Sequence, residues 1–236
     1  MKNNTLEKLL SEMGIEYKNE LLEKLEHFYF LLSEKNKFLN LTSITEYDDV
    51  MRKHFAACLA VLKYQVFLDG QKVLDLGTGG GFPGIPLKIF LPDVEFVLMD
   101  SVRKKLSFID EVIGELGLKS VSLIHGRAED LAQTDGYREQ FDFVLSRAVS
   151  NLSTLSELSL PFVKLGGKFI SYKGESGNEE LLRAGNAISL LGGRTEGINE
   201  YELPGGDRRS LILIKKENKC PDKYPRRAGT PAREPL

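Results

Sequence analysis

The order of apolar segments predicts a doubly wound α/β sheet closed by an antiparallel hairpin, and three observations carry that prediction. From residue 73 onward, short aliphatic runs alternate with amphipathic stretches of helical spacing. The first run, 73–76, enters a glycine-packed turn, Gly77-Thr-Gly-Gly-Gly-Phe-Pro-Gly, that reads as a strand passing into a helix. The last two runs, 194–203 and 210–215, are joined by Pro204-Gly-Gly-Asp, a hairpin connection.

Ahead of the sheet, Leu6 to Met13 has helical spacing. Asn19 is a candidate cap for a helix carrying Leu21, Leu22, Leu25, Phe28, Tyr29 and Leu32, which runs into the polar 33–36. A third helix is expected over 49–64, so residues 1–70 read as an N-terminal helical cap. The strand at 73–76 leads to a helix that opens near Pro83 or Pro86, because a first helical turn tolerates a missing N–H. Strands at 95–99, 120–125, 141–145 and 168–172 alternate with helices at 103–116 and 152–161. A helix over 179–191 leads to the hairpin, which makes 71–216 one α/β domain. Beyond Lys216, four prolines and no apolar period predict an irregular tail over 217–236.

At 236 residues the chain can bury a substantial core without disulfides. Cys58 and Cys220 fit no metal-ligand spacing, so no metal is expected and a reduced, cytoplasmic setting is the natural reading. No apolar run approaches the ~20 residues of a membrane span, and the first residues lack a secretory apolar core. A net charge of −2 argues against a protein that coats nucleic acid indiscriminately. The charge is unevenly placed: residues 1–50 hold six Lys and ten Asp or Glu, whereas 215–236 hold seven Lys or Arg and three acids. That basic end, with Arg226 and Arg227, suits phosphates; the alternative is a solvated tail.

The glycine turn carries the chemistry. Gly77, Gly79, Gly80, Gly81 and Gly84 remove the Cβ atoms that would hold a small molecule away from the backbone. About twenty residues further on, the second strand ends in Asp100, placed to accept hydrogen bonds from ribose hydroxyls. Gly79-x-Gly81-x-x-Gly84 formally matches a dinucleotide fingerprint. Asp75, two residues before the first glycine, would repel a pyrophosphate and suits an ammonium instead. The combination favours S-adenosylmethionine, and with it the Rossmann-like sheet of class I methyltransferases.

Ligands of open α/β sheets collect at the carboxyl ends of the strands. The third strand presents Arg127, Ala128 and Glu129 there, the fourth Arg147 and the fifth Lys173. Glu129 either receives an adenine amine or caps the following helix. Arg147 and Lys173 end apolar strands and need an anionic partner, either a ligand phosphate or carboxylate or an acid of the protein itself. His125 reads as a hydrogen-bonded structural residue.

Absent features narrow the reaction. Methylation of an exocyclic amine often uses an Asn/Asp-Pro-Pro-aromatic motif after the fourth strand, where this chain has Ser146-Arg-Ala-Val. Methylation of a pyrimidine carbon needs a cysteine nucleophile, and neither Cys58 nor Cys220 is expected at a sheet terminus. Guanine N7 has an in-plane lone pair and needs no base, so in-line attack on a sulfonium methyl requires mainly positioning.

Asn40-Leu-Thr-Ser-Ile, Arg52-Lys-His-Phe, the turn at 73–86, Gly126-Arg-Ala-Glu-Asp, Ser146-Arg-Ala-Val, Tyr172-Lys-Gly and Pro225-Arg-Arg-Ala-Gly-Thr-Pro together closely resemble the bacterial RsmG (GidB) family over nearly the whole chain. The resemblance implies methyl transfer from S-adenosylmethionine to N7 of a guanine in 16S ribosomal RNA, in the decoding-region hairpin. The substrate would be free RNA or an assembling small subunit, with no oligomer required. It also implies cofactor contacts at Gly77, Phe82, Ala128, Glu129 and Arg147, with Asp100 in the ribose role. Phe82 either covers the ligand or is a core residue at a helix start. Arg127, Arg147 and Lys173 match positive groups beside the family's active site, which makes Arg147 and Lys173 the candidate catalytic residues. Two other readings stay open: a small-molecule methyltransferase with the same cofactor, and a non-catalytic RNA-binding protein on the same fold.

Overall fold

Seven strands, β1 (Lys72–Leu76), β2 (Glu95–Asp100), β3 (Val121–His125), β4 (Phe141–Arg147), β5 (Val163–Lys173), β6 (Gly193–Leu203) and β7 (Asp207–Lys216), form one sheet in the order β3-β2-β1-β4-β5-β7-β6. The computed structural model describes residues 4–147 and 150–236. Residues 1–3 of the expected helical cap, and Ala148 and Val149 of the Ser146-Arg-Ala-Val motif, lie outside the described residues. The first five strands run parallel, while β7 is antiparallel to both β5 and β6. Strand order reverses between β1 and β4, which opens a crevice at their carboxyl ends.

Period-two patterning fills both faces of this sheet. Val73, Phe96, Leu98, Phe143, Leu145, Leu211 and Leu213 point to one core, and Leu74, Leu76, Val144, Ile212 and Ile214 to the other. The first core also takes in α1 (Asn4–Met13) and α2 (Asn19–Leu39), so these helices are continuous with the sheet's apolar layer. Leu22, Leu25, Phe28 and Leu32 of α2 are buried there, each contributing roughly 1.5–3 kcal/mol of transfer free energy. The opposite face is covered by the Leu152–Ser159 and Gly177–Leu190 helices and by residues of the C-terminal segment. In the hairpin, Leu203 pairs with Asp207, and Gly205 (φ 101°) and Gly206 (φ 96°) supply the left-handed turn.

Several boundaries differ from expectation for identifiable reasons. Asn19 is the first helical residue rather than the cap; Lys18 precedes it in extended conformation, and no side chain caps the end. The helix continues past the polar 33–36 to Leu39, and left-handed Asn40 (φ 46°) ends it. Pro83 sits at the N-cap of the Gly84–Phe90 helix, with Pro86 in its first turn. Strand β4 extends two residues beyond expectation and takes in Ser146 and Arg147. The helix expected over 49–64 spans 47–63, and its Val50–Ala56 portion is a π-helix. The C-terminal segment is irregular except for a short Thr230–Arg233 helix, yet it is packed rather than solvated. Cys220, Tyr224 and Pro231 are buried, and Arg138 donates to the Cys220, Pro221 and Tyr224 carbonyls.

Candidate active site

The turn after β1 is a backbone cradle whose glycines have two separate uses. A Cβ on Gly84 would lie 2.3 Å from Leu98 Cδ2 and 2.7 Å from Asp75 Oδ2, so that glycine is required by packing. A Cβ on Gly79 would find no atom nearer than 3.9 Å and would stand in a cavity of about 430 Å³ that Gly79 lines. Gly77, Thr78, Phe82, Asp100 and Arg147 also line that cavity. Asp100 organises its rim, because Oδ2 accepts from the Gly79 amide at 2.9 Å and Oδ1 from the Val102 amide at 2.8 Å. Thr78, only 1% exposed, turns its hydroxyl toward the Asp75 carboxyl beneath the turn. A ligand with hydroxyl donors seated in this cavity would use the remaining lone pairs of the Asp100 carboxylate, which the two amides hold in place.

Asp75 does not face the cavity as the sequence suggested. It is fully buried beneath the turn, where Oδ2 accepts from the Gly84 amide at 2.8 Å. Burial pushes its carboxyl up to about 7, against the opposing pull of hydrogen bonds from Thr78 and Gly84. Asp75 thus holds the helix start in place under the ligand cradle.

Arg147, at the end of β4, is the hub of the site. Its Nη2 donates to the Lys53 carbonyl and to His54 Nδ1, both at 2.8 Å, and its Nη1 to Cys58 Sγ at 3.0 Å. The guanidinium also lies 5.9 Å from the centroid of the Phe82 ring. No carboxylate stands among these acceptors, so its full charge remains available. The π-helix helps create this receptor: the Ala57 amide bonds the Arg52 and His54 carbonyls, not that of Lys53 as in an α-helix. His54 stacks on Phe82 at 4.4 Å, and Phe82 packs in turn on Phe28 and Phe55. Phe82 is therefore both core residue and cavity wall. Burial, with Arg147 and Arg209 adding to it, lowers the His54 pKa to about 3, so the ring is neutral.

A second cavity, of about 420 Å³, opens on the other side of Arg147 toward the hairpin. Lys53, Lys173 and Arg209 join Arg147 in its wall, with Tyr172, Tyr201 and Glu180. Lys173 finds its anionic partner within the protein: Nζ lies 2.8 Å from Glu180 Oε2 and donates to the Ser150 carbonyl at 2.6 Å. Lys53 pairs with Asp49 at 3.0 Å. Arg209 Nε is buried with no partner among the described residues.

The structure thus brings Gly77, Gly79, Phe82, Asp100 and Arg147 together at the first cavity and places Lys173 at the second. Ala128 and Glu129 line neither; Glu129 Oε1 instead accepts from the Gly229 amide of the C-terminal segment at 3.0 Å. Arg127 and Arg227 are exposed, but Arg226 is turned inward onto Glu157. That ion pair occupies the guanidinium expected to face RNA. His125 Nε2 donates to the Ser101 carbonyl at 3.1 Å, in keeping with a structural role. Cys58, expected away from any sheet terminus, is in fact carried to the end of β4 by the 47–63 helix. Burial raises its thiol to about 11 and it lines neither cavity, so it is no nucleophile. The sequence assigns no role to His54, Thr78, Lys53 or Arg209, although Lys53 and His54 stand in the Arg52-Lys-His-Phe motif and Thr78 in the glycine turn. For His54 a signal existed, since Val50, Met51, His54, Phe55 and Cys58 recur at buried helical spacing.

Comparison with known proteins agrees with this geometry. The profile of the GidB family, described as rRNA small subunit methyltransferase G, matches residues 21–211. The chain is 47% identical over 235 residues to the ribosomal RNA small subunit methyltransferase G of Lachnoclostridium phytofermentans, covering 99% of this chain and 97% of that protein. It is 42% identical to the protein so named from Leuconostoc mesenteroides, over the full length of both. Among solved structures, M. jannaschii TYW2 in complex with AdoMet superposes with a TM-score of 0.58 at 14% identity, covering 75% of this chain and 81% of that one. TrmN from Thermus thermophilus gives 0.55 at 20% identity over 68% and 48% of the two chains. At such identities these two likenesses establish the fold of class I S-adenosylmethionine-dependent methyltransferases. With that fold, a ligand cradle at the switch point and full-length relatives above 40% identity, the chain belongs to the GidB family, the S-adenosylmethionine-dependent small-subunit rRNA methyltransferases G.

Proposed function

We propose that this enzyme methylates N7 of a guanine in the decoding-region hairpin of 16S ribosomal RNA, in the cytoplasm, by in-line transfer without a general base. The carrying observation is Arg147, whose uncompensated guanidinium lines both the glycine-turn cavity and the cationic cavity beside it. The Gly77–Gly80 backbone and Asp100 would hold the cofactor on one side. Bound S-adenosylmethionine supplies an electrophilic methyl on its sulfonium. On the other side Arg147, with Lys173 and Arg209, offers charge to an RNA phosphate, which fixes register without reading sequence. Arg127 and Arg227 would extend that contact over the surface.

A base-free reaction suits the groups at hand. His54 already accepts from Arg147, Asp100 from two amides, and Glu180 holds Lys173. No lining histidine or carboxylate among the described residues is left to take a proton. Guanine N7 needs none, so the protein's contribution is to align the ring nitrogen.

The experiment is strand scission at N7-methylguanine in 16S RNA from a strain lacking the enzyme, complemented with wild type or Arg147→Ala. Scission at one guanine restored by wild type alone is expected. Scission that persists in the deletion strain would remove the assignment.

A further inference from the structure

We infer that Thr42 and His54 form a positioning relay that fixes the Arg147 guanidinium between the two cavities. The inference rests on the proposed role of Arg147 as the group that holds an RNA phosphate. Arginine can only donate, so His54 Nδ1, 2.8 Å from Nη2, must be the unprotonated ring nitrogen. The ring proton is then on Nε2 and is donated to Thr42 Oγ1 at 2.7 Å. Thr42 is itself fixed: its hydroxyl oxygen accepts from the Ile44 amide at 3.0 Å, and Asn36 bonds both its amide and its carbonyl at 2.9 Å. A line of directed hydrogen bonds therefore runs from the end of α2 through Thr42 and His54 to Arg147.

The arrangement does more than bury a histidine. A ring serving only to pack on Phe82 would need neither tautomer, yet both nitrogens of His54 have dedicated partners. The imidazole is neutral, so it orients the guanidinium without cancelling its charge, whereas a carboxylate there would neutralise the cation meant for RNA. Arg147, which can only donate, selects the tautomer at Nδ1, and Thr42 accepts the resulting Nε2 proton and fixes the plane of the ring. His54 touches Arg147 rather than the reacting atoms and is a positioning residue.

Two amide substitutions separate the two ends of the relay. Asn places its side-chain oxygen near the Nδ1 position, whereas Gln reaches the Nε2 position and leaves Arg147 without its acceptor. Single-turnover transfer to RNA, calorimetric S-adenosylmethionine affinity and Tm would be measured for His54→Asn, His54→Gln, His54→Phe and Arg147→Ala. His54→Phe keeps an aromatic ring on Phe82. It and His54→Gln are expected to slow transfer roughly 10- to 100-fold, the loss of one hydrogen bond to a charged group, with a smaller loss of cofactor affinity because His54 also lines the glycine-turn cavity. His54→Asn is expected to recover most of the rate. On the unmutated enzyme, 15N shifts should show His54 protonated at Nε2 only, and Arg147→Ala, which removes the donor at Nδ1, should mix the tautomers. Nδ1 protonation in wild type would overturn the relay, and that readout survives if a variant fails to fold. Wild-type transfer by His54→Phe alongside slow Arg147→Ala would overturn it while sparing Arg147. Wild-type transfer by Arg147→Ala would remove the underlying reading instead.

Discussion

Arg226 and Glu157 form a forked ion pair in which the carboxylate is 0% exposed and the guanidinium lies near the surface. Arg226 Nε is 2.9 Å from Oε1, Nη2 is 2.6 Å from Oε2, and the Arg226 amide donates to Oε1 at 2.8 Å. With the Glu129 to Gly229 bond, this pair fastens the C-terminal segment to the helical face of the sheet.

Arg226→Ala would leave the Glu157 charge buried and unpaired, at an expected cost of roughly 3–5 kcal/mol in unfolding free energy. Adding Glu157→Gln should recover part of that. Arg227→Ala, at an exposed position, should leave stability unchanged and reduce the log–log salt slope of RNA binding by about 0.7 to 0.9. Urea titrations and salt-dependent RNA binding check these together. A loss below 1 kcal/mol for Arg226→Ala, or equal slopes for Arg227→Ala, would count against the assignments.

Gly79→Val should abolish S-adenosylmethionine binding, because the branched side chain would stand in the cavity and strain a backbone held at φ 59°, in a protein that still melts cooperatively at a lower Tm. Gly84→Ala should instead lower stability by about 1–3 kcal/mol through overpacking against Leu98 and Asp75. Calorimetric binding beside thermal melts distinguishes them. Retained cofactor affinity in Gly79→Val would place the ligand elsewhere.

Asp75 titrates near 7 in the folded protein against 3.8 ordinarily. Between about pH 4 and 7 the unfolded chain has therefore already lost this proton while the native state keeps it. Stability falls as pH rises through that window, by at most about 1.4 kcal/mol per pH unit, and levels off above it. Asp75→Asn should remove this slope, so that its Tm relative to wild type climbs from pH 4 to 7. Parallel Tm curves across that range would show that the carboxyl is already ionised at low pH.

Lys173→Ala should slow transfer at every pH from about 6 to 9 while sparing cofactor affinity, because the lysine is a buried cation in the second cavity and no proton leaves guanine before attack. Single-turnover rates against pH test this. An inflection present in wild type and absent in the mutant would sink the base-free mechanism.

Local patterns made most of the scaffold legible. The 73–76 run, its glycines and Asp100 belong to one continuous stretch, and Gly205 and Gly206 announce the hairpin by backbone need alone. What stayed hidden depends on long-range pairing. His54 lies 93 residues from Arg147, and Arg226 lies 69 from Glu157. A count of basic residues registers the charge of Arg226 without its partner, and it therefore reads a structural clasp as an RNA contact. Asp75 was misplaced for a related reason: spacing put it near the ligand, but only packing decides whether a carboxylate lies above or beneath a turn.

Two of the groups that seat Arg147 are main-chain carbonyls, those of Lys53 and His54, and no side-chain replacement removes a carbonyl oxygen. The anchorage at Lys53 is thus indifferent to which amino acid stands there but sensitive to how many residues lie between Val50 and Ala56. Deleting one would let the segment relax to regular α-helical spacing and rotate everything before the cut by about 100° relative to Cys58. Replacing the Lys53 side chain would therefore leave this carbonyl contact in place, whereas an insertion or deletion in the helix would remove it.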